Sequence, residues 1–421
     1  MTTRKLLIHA TGAPQPGQLA AFGQALVASG ARLLDIDQRT GFGLVTLEAL
    51  IAVDEGHELD AESAPAVLGR GMGAAGEGGS PAAGLSLQAV EIDATRFDAG
   101  EETGLILTLL APRLAARSLA PLLADIERLS ADRGLSLDRL RRLSGRASLA
   151  ETAPAHGVCF ECRLGGAPVE LQSLRREALA LGAEHGVDIV IQEETPWRQQ
   201  RRLVCFDMDS TLIKAEVIDE LARRHGVFDE VAAITERAMR GELDFQQSFR
   251  ERMQKLEGLD ESVLEEIAEN LEMMDGLTRL MAHLKRLGYK TAIISGGFTW
   301  FARYLQKRFG FDEVHANELS IEDGRVTGRV QTPIVDAERK AQLLREIAAR
   351  HDIALAQTVA VGDGANDLKM LEAAGLGIAF RAKPLVREKA RQSLSLPGLD
   401  AVLYLLGHCE ETLAPFEASG R

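Results

Sequence analysis

The chain has 421 residues, 46% hydrophobic and 26% charged, which is ordinary globular usage with apolar material for more than one core; at about 100–200 residues per domain the length suggests about two to four domains. A net charge of −14 repels a polyphosphate backbone, so nucleic acid is not an expected partner, and any small anion must be bound by local structure. The four cysteines (159, 162, 205 and 409) are too sparse for a disulfide framework, the start lacks signal-peptide features, and no apolar run approaches the ~18 residues of a membrane span; the expectation is a cytoplasmic protein with no membrane partner.

In chain order, residues 4–9 read as a strand, and Leu19, Phe22 and Leu26 mark a helical face that Gly30 can end. ARLLDIDQ and FGLVTLEALIAV read as strands, the Gly/Ala/Ser-rich stretch from 70 onward as a loop or linker, and LSLQAVEI as a further strand. The pattern then restarts. GLILTLLAP is a strand, SLAPLLADIERLSADRG a helix, LDRLRRLSG a strand or short helix, HGVCFECRL a strand, VELQSLRREALALGAEHG a helix and VDIVIQEE a strand. This β-α-β-β-α-β order is the ferredoxin-like pattern. From about 200 onward, short apolar strands (RRLVCF, KTAIIS, TVAVG, LGIAF) alternate with long helical segments, which predicts a parallel α/β sheet. Within IEDGRVTGRV an Asp-Gly lies between alternating apolar residues and predicts a hairpin. A helical block over about 216–273 interrupts the rhythm after the first strand and reads as a cap over the sheet's C-terminal edge, where such sheets bind ligands. The domain expectation is therefore 1–95, 96–195 and 196–421.

The chemistry gathers at the ends of the apolar strands. The first ends in Phe206-Asp207-Met208-Asp209-Ser210-Thr211. Two carboxylates beside a buried strand are costly unless paired, and hard oxygen ligands from few carboxylates suit Mg²⁺ with room left for a phosphate. With that charge neutralised, Asp207 could attack phosphorus, while Asp209 could protonate the leaving oxygen and later activate water. Taken alone, the pair could equally open a helix as a cap cluster. The second strand ends in Ser295-Gly296-Gly297, a hydroxyl and backbone N–H groups able to hold phosphate oxygens. The third runs into Gly362-Asp363-Gly364-Ala365-Asn366-Asp367, offering a further Mg²⁺ carboxylate (Asp363), an amide (Asn366) and an orienting acid (Asp367). Between them Lys340 opens a helical pattern and supplies the cation a phosphoryl transfer needs. The joint occurrence, in chain order within one α/β domain, argues for function where each motif alone would not.

These residues resemble the haloacid dehalogenase superfamily of phosphotransferases. FDMDSTLIKAEVIDELA, MRGELDFQQSFRERM, IISGGFTWFA and VAVGDGANDLKMLEAAG resemble, within it, the phosphoserine phosphatase family, over about 200–400. The resemblance implies a Rossmann-like domain with a helical cap, and hydrolysis of O-phospho-L-serine, the last step of serine biosynthesis, through an aspartyl-phosphate. It assigns Asp207 as nucleophile and Asp209 as general acid/base. It gives Mg²⁺ to Asp207, Asp363 and the backbone carbonyl of Asp209, and the phosphate to Ser295, Gly296, Lys340 and Asn366. Glu216 matches the family's ligand for the substrate ammonium and Arg252 its ligand for the substrate carboxylate. The spacing agrees: Phe245, Phe249 and Arg252 fall on one helical face, an apolar wall with a guanidinium that could fork onto a carboxylate, or else a rim charge flanked by Arg250 and Glu251.

The front half resembles a pair of ACT domains, small ferredoxin-like modules that bind amino acids and dimerise. Thr11-Gly12-Ala13-Pro14-Gln15-Pro16-Gly17 stands where an ACT ligand loop carries an acid, so a structural role or a homodimer through these modules stands beside effector binding. Two other functions remain open: an amino-acid sensor with a vestigial phosphatase, and a phosphatase of another small phosphorylated amino acid. Cys159-Phe-Glu-Cys162 lies in a predicted strand, where its side chains point to opposite faces and make a poor chelate.

Overall fold

The computed structural model describes residues 3–54, 57–74, 84–92, 104–113, 116–145, 157–167 and 169–418, in two compact units, Met1–Glu102 and Thr103–Arg421. In the first unit β1 (Thr3–Gly12), α1 (Gln18–Ala28), β2 (Arg32–Gly41), β3 (Leu44–Asp54), α2 (Ala64–Ala74) and β4 (Leu85–Ile92) follow one another. The sheet is antiparallel, in the order β2-β3-β1-β4, as the ferredoxin-like pattern requires. The period-2 rule is visible in β1, whose Leu6, Ile8 and Ala10 are buried against Phe22, Leu26, Leu68 and Met72 of the two helices. The stretch expected to be a loop from 70 onward is helical to Ala74, and 75–83 lie outside the described residues. Glycine lowers helix propensity by about 1 kcal/mol, but here it serves packing. A Cβ on Gly71 would lie 2.9 Å from that of Ala25, so the bare backbone lets α2 close onto α1.

The second unit opens with another ferredoxin-like module: β5 (Leu105–Ala111), α3 (Ala116–Ala131), β6 (Leu135–Arg142), β7 (Val158–Gly166), α4 (Leu171–His185) and β8 (Asp188–Glu193), ordered β6-β7-β5-β8. LDRLRRLSG, open between strand and helix in the sequence, is mostly strand. A bulge between Leu137 and Arg139 breaks its alternation. Every residue of β5 is buried, because both faces of this sheet are covered. Leu105, Leu107 and Leu109 meet the module's own helices, while Leu110, Cys159 and Val190 join the core of the catalytic sheet and its C-terminal helices. Cys159 and Cys162 accordingly lie in different cores, on opposite faces of β7; burial pushes the Cys162 thiol up to about 12.

The α/β part contains β9 (Leu203–Phe206), helices α5 (Val217–His225), α6 (Phe228–Met239), α7 (Phe245–Lys255) and α8 (Ser262–Asn270), then α9 (Leu277–Arg286), β10 (Lys290–Phe298), α10 (Thr299–Phe309), β11 (Glu313–Asn317), β12 (Leu319–Glu322), β13 (Arg325–Val330), α11 (Ala337–Arg350), β14 (Thr358–Gly362), α12 (Leu368–Ala373), β15 (Leu376–Phe380), α13 (Pro384–Lys389) and β16 (Gln392–Leu394). The main sheet runs β11-β10-β9-β14-β15-β16, all parallel. The chain moves from β9 to β10 on one side and later to β14 on the other, so β9 lies at the topological switch point, where parallel sheets place their ligand site. The expected hairpin is β12–β13; its turn residues Asp323 (φ 51) and Gly324 (φ 73) take the left-handed conformation that favours Asp-Gly. It is stitched to the chain after α7 by backbone bonds from Gly258 N to Val326 O (2.8 Å) and Val326 N to Leu259 O (2.9 Å). Among the described residues, no helix is long and apolar enough to cross a membrane.

The second module and the catalytic sheet are tied along β8 and β16. Gln392 donates from Nε2 to Ile191 O (2.5 Å) and accepts from Ile191 N–H at Oε1 (3.2 Å). Asp188 Oδ2 accepts the N–H groups of Ser395 (2.6 Å) and Leu396 (2.8 Å).

Candidate active site

The buried strand β9 delivers Asp207, whose N–H bonds to Val361 O (2.9 Å) and so continues the β14 ladder by one residue. The chain then turns on one acceptor. Met208 O receives the N–H groups of Thr211 (3.3 Å), Leu212 (2.8 Å) and Ile213 (3.2 Å), and Ser210 takes a positive φ of 56°. A serine in that region is uncommon and marks a constrained turn. It keeps Asp207 and Asp209 close together, and Asp209 Oδ1 accepts Val217 N–H at the start of α5 (3.4 Å).

Lys340, in the first turn of α11, is fully buried. Its Nζ lies 2.8 Å from Asp207 Oδ1 and 2.7 Å from Asp367 Oδ1. Burial works against its charge, but Asp207 and Asp367 outweigh that and hold its pKa above the ordinary lysine value. Asp367 folds back under its own loop and accepts Gly364 N–H at Oδ2 (2.9 Å). A Cβ on Gly362 would lie 2.4 Å from the Asp367 carboxyl carbon, so that position requires glycine. Thr211 donates to Asp363 Oδ1 (3.0 Å).

Oxygen atoms of Asp207, Asp363 and Asp367 lie within 4.8 Å of one another. Burial and the neighbouring acids push Asp363 up to about 7, and burial and Asp207 push Asp367 up to about 6 against the pull of Lys340. Three crowded carboxyls share the single buried cation Lys340, and an all-oxygen set is what a hard divalent cation takes, so the residues fit a metal ion. Asp209 is raised well above the carboxylate range, by burial first and then by Glu216 and Asp207. That environment favours its protonated form.

Facing these groups is the end of β10. Ser295 is fully buried and accepts Gly297 N–H at Oγ (2.9 Å). A Cβ on Gly297 would lie 2.6 Å from Asp209 Oδ2, so the bare backbone lets the loop approach the acid. The carbonyl of Gly296 is held by Asn317 Nδ2 (2.8 Å), whose Oδ1 accepts Val335 N–H (2.8 Å). A Cβ on Gly296 would lie 3.9 Å from Asn366 Nδ2 and 3.3 Å from Phe245 Cζ, which places the α7 cap residue directly over the loop. The Phe245 and Phe249 rings stack with centroids 6.2 Å apart, and Phe249 meets Phe298 at 6.0 Å. Gln246 Nε2 reaches across to Asp336 Oδ2 (2.8 Å), at the cap of α11.

Arg252 lies further along the same cap face. Its Nε contacts Ser248 O (3.4 Å), and among the described residues it makes no ion pair. Burial lowers its pKa, opposed by Asp219, Glu216 and Asp209. Glu216 accepts the Ser210 hydroxyl (2.8 Å). It is reached by solvent, yet its pKa is raised by desolvation first and then by Asp207 and Asp219, as for a group lining a crowded cleft.

A family model of haloacid dehalogenase-like hydrolases matches residues 204–372, the segment that carries all three acidic and glycine-rich strand ends. A phosphoserine phosphatase of Streptomyces coelicolor is 40% identical over 407 residues, 96% of this chain and 93% of that protein. One of Mycobacterium tuberculosis is likewise 40% identical over 96% of this chain and 93% of its own. The chain belongs to the phosphoserine phosphatases of the haloacid dehalogenase superfamily. Among solved structures, a probable phosphoserine phosphatase from Vibrio cholerae in unliganded form covers 77% of this chain and 93% of its own, with 33% identity and a TM-score of 0.57.

This phosphatase carries its motifs on the strand ends of an α/β sheet. The structure brings Asp207, Asp209, Ser295, Gly296, Lys340, Asp363 and Asn366 to the C-terminal ends of β9, β10 and β14, and Glu216 and Arg252 to the cap side. The sequence reading passed over four residues. Thr211 was visible as a hydroxyl beside the acid pair. Asn317 and Gln246 carried no local signal, because each acts on a segment distant in sequence, and Asp336 was visible only as the N-cap of α11, accepting Arg339 N–H (3.0 Å).

Proposed function

We propose that the chain hydrolyses O-phospho-L-serine to L-serine and phosphate, the last step of serine biosynthesis, in the cytoplasm. The observation that carries this reading is the pairing of Asp207 with buried Lys340 beside Asp209, whose surroundings favour its protonated form, under a cap that presents Arg252 with no ion pair among the described residues. A carboxylate oxygen of Asp207 attacks phosphorus, the bond to the serine oxygen breaks, and Asp209 gives that oxygen its proton. Asp209, now a carboxylate, takes a proton from the water that attacks the aspartyl-phosphate. Phosphate leaves and Asp207 is regenerated.

Mg²⁺, held by Asp207, Asp363 and the backbone carbonyl of Asp209, would supply the charge that lets an anionic phosphate approach an anionic nucleophile. Asp367 orients Lys340 rather than the metal in this reading, since Lys340 Nζ and Gly364 N–H already occupy its two oxygens. Ser295 Oγ, Gly296 N–H, Lys340 and Asn366 Nδ2 hold the phosphate oxygens. Glu216 takes the substrate ammonium and Arg252 its carboxylate, with Phe245 and Phe249 as the apolar wall that excludes water.

The test is phosphate release from O-phosphoserine, O-phosphothreonine and p-nitrophenyl phosphate, with Mg²⁺ or EDTA, beside an Asp207→Asn control. Fast Mg²⁺-dependent turnover that favours phosphoserine and vanishes in the control is expected. Equal turnover of all three would discard the roles of Glu216 and Arg252, and no turnover of any would discard the enzyme reading.

The division into domains 1–95, 96–195 and 196–421 is part of the proposal, with the second module acting as a fixed part of the catalytic body. We also assign the first unit a homodimerising role. Its edge strand β2 has an open flank, and Leu33, Ile36 and neighbouring Leu44 are 46%, 39% and 49% exposed. Sedimentation velocity on the wild type and on Ile36→Lys checks it; a monomer in both would remove the assignment.

A further inference from the structure

A cavity of about 840 Å³ opens between α4 of the second module and the α13–β16 segment of the catalytic sheet. It shares no residue with the catalytic cleft. Arg175, Arg176, Arg387, Lys389 and Arg391 line it against a single acid, Glu388. In a chain of net charge −14, so many cations around one space need an explanation. Among the described residues none of the five makes an ion pair. The Arg175 guanidinium is held below its ordinary pKa by burial and then by Arg391. Two lining residues also bury a polar atom without a partner, Arg387 Nε and Ser393 Oγ. Native proteins leave few such atoms, and each one points to an absent water, ion or ligand. Leu179, Ala180, Ala183 and Ala390 give the cavity apolar wall, and its volume falls in the range of small-molecule sites, about 300–1,000 Å³.

We infer that this cavity binds a small organic polyanion, whose phosphate or carboxylate groups take up the unpaired arginine forks while its carbon frame lies on the alanine and leucine side. Guanidinium groups bind both anions in the same bidentate way, so the shared chemistry is an anion of two or more charges. The site spans the seam held by Gln392, Ile191 and Asp188, so an occupant grips the second module and the catalytic sheet together. A ligand that binds only the native state also raises its stability.

The experiment is calorimetric titration of the full-length protein with sodium tripolyphosphate and, separately, with citrate. The protein is first freed of divalent metal on a chelating resin, so that the acid-lined catalytic cleft repels both anions and no soluble polycarboxylate competes with them. Saturable binding at a single site is expected, with a rise in melting temperature. Tripolyphosphate alone binding identifies a phosphorylated ligand, citrate alone a polycarboxylate. Lys389→Gln/Arg391→Gln removes two exposed cations that make no hydrogen bond to the protein, so the fold is spared. It should weaken binding by about tenfold or more, the factor for one lost charge-assisted bond, and leave phosphoserine turnover unchanged. Glu388→Gln should tighten it. No saturable binding of either anion, or affinities unmoved by both variants, would overturn the inference.

Discussion

Replacing Arg252 with methionine tests the cap's part in substrate choice. The side chain keeps its length and can lie along Phe249, and among the described residues the bond lost is the intrahelical contact to Ser248 O, so the cap should stay folded. A charge-assisted hydrogen bond contributes about 1.5–3 kcal/mol net, and truncating one partner of a desolvated charge pair costs about 2–5 kcal/mol. Arg252 is half-buried, which places it at the lower end, about 2–3 kcal/mol, or about 30- to 150-fold in kcat/KM for phosphoserine. The p-nitrophenyl ester has no carboxylate, so its kcat/KM should change by less than about threefold. Arg252→Lys keeps the charge without the fork and should fall between. The assay is steady-state phosphate release on both substrates at one pH and saturating Mg²⁺. A parallel fall on both substrates would mean that Arg252 supports the cap's position rather than reading the substrate, and no fall on either would make it a surface charge.

Lys340→Met strands Asp207 and Asp367 in the interior without their cation, so it should abolish turnover and cost about 3–5 kcal/mol of stability by chemical unfolding. Asp363 and Asp367 are raised to about 7 and about 6 from the free-carboxyl value of 3.8, by burial first. The stability these protons contribute is complete below about pH 4 and is lost as pH rises through 6 and 7; the melting temperature with EDTA should therefore fall from about pH 5 to 8, and the gain from added Mg²⁺ should widen. Asn317→Ala leaves Gly296 O and Val335 N–H without a partner, at about 1–3 kcal/mol each. It should lower kcat/KM for phosphoserine and p-nitrophenyl phosphate together, the signature that separates it from Arg252. Glu216→Gln removes a negative charge that raises Asp209, so the alkaline limb of the kcat/KM profile for phospholactate, which lacks the ammonium, should move to lower pH.

The strand ends of the site were legible because three acid- or glycine-bearing ends occur in order within one α/β domain, although each alone would pass for a turn or a helix cap. The Asp323-Gly324 hairpin was legible because its turn chemistry is local. LDRLRRLSG was ambiguous because the bulge at Leu137/Arg139 puts Leu140 off the period that Leu135 and Leu137 set. The helix through Gly69, Gly71 and Gly73 was hidden because its reason is tertiary: the approach of Gly71 to Ala25 outweighs a poor helix propensity. The fusion of the second module to the catalytic sheet had one trace, the apolar run of β5, interrupted only by Thr108, where an antiparallel strand with one solvated face would alternate. Asn317 left no trace, since its two bonds reach Gly296 and Val335 across separate strands and loops.

The cleft also gives a physical basis for the different roles proposed for two neighbouring aspartates. Asp207 lies against Lys340, at 2.8 Å, which holds its carboxyl group in place at the end of β9. Asp209 lies two residues further along, beyond the turn at Ser210, where burial, Glu216 and Asp207 all favour its proton and Lys340 acts more weakly. Bringing the substrate ammonium to Glu216 cancels part of the charge that holds that proton. Recognition of the amino-acid end would then lower the Asp209 pKa at the moment it must donate to the leaving oxygen, so binding energy at the cap is used in the transition state rather than spread evenly. An ester without the ammonium would meet a more reluctant acid even when its phosphate is held equally well. Its deficit should then appear in kcat as well as in KM.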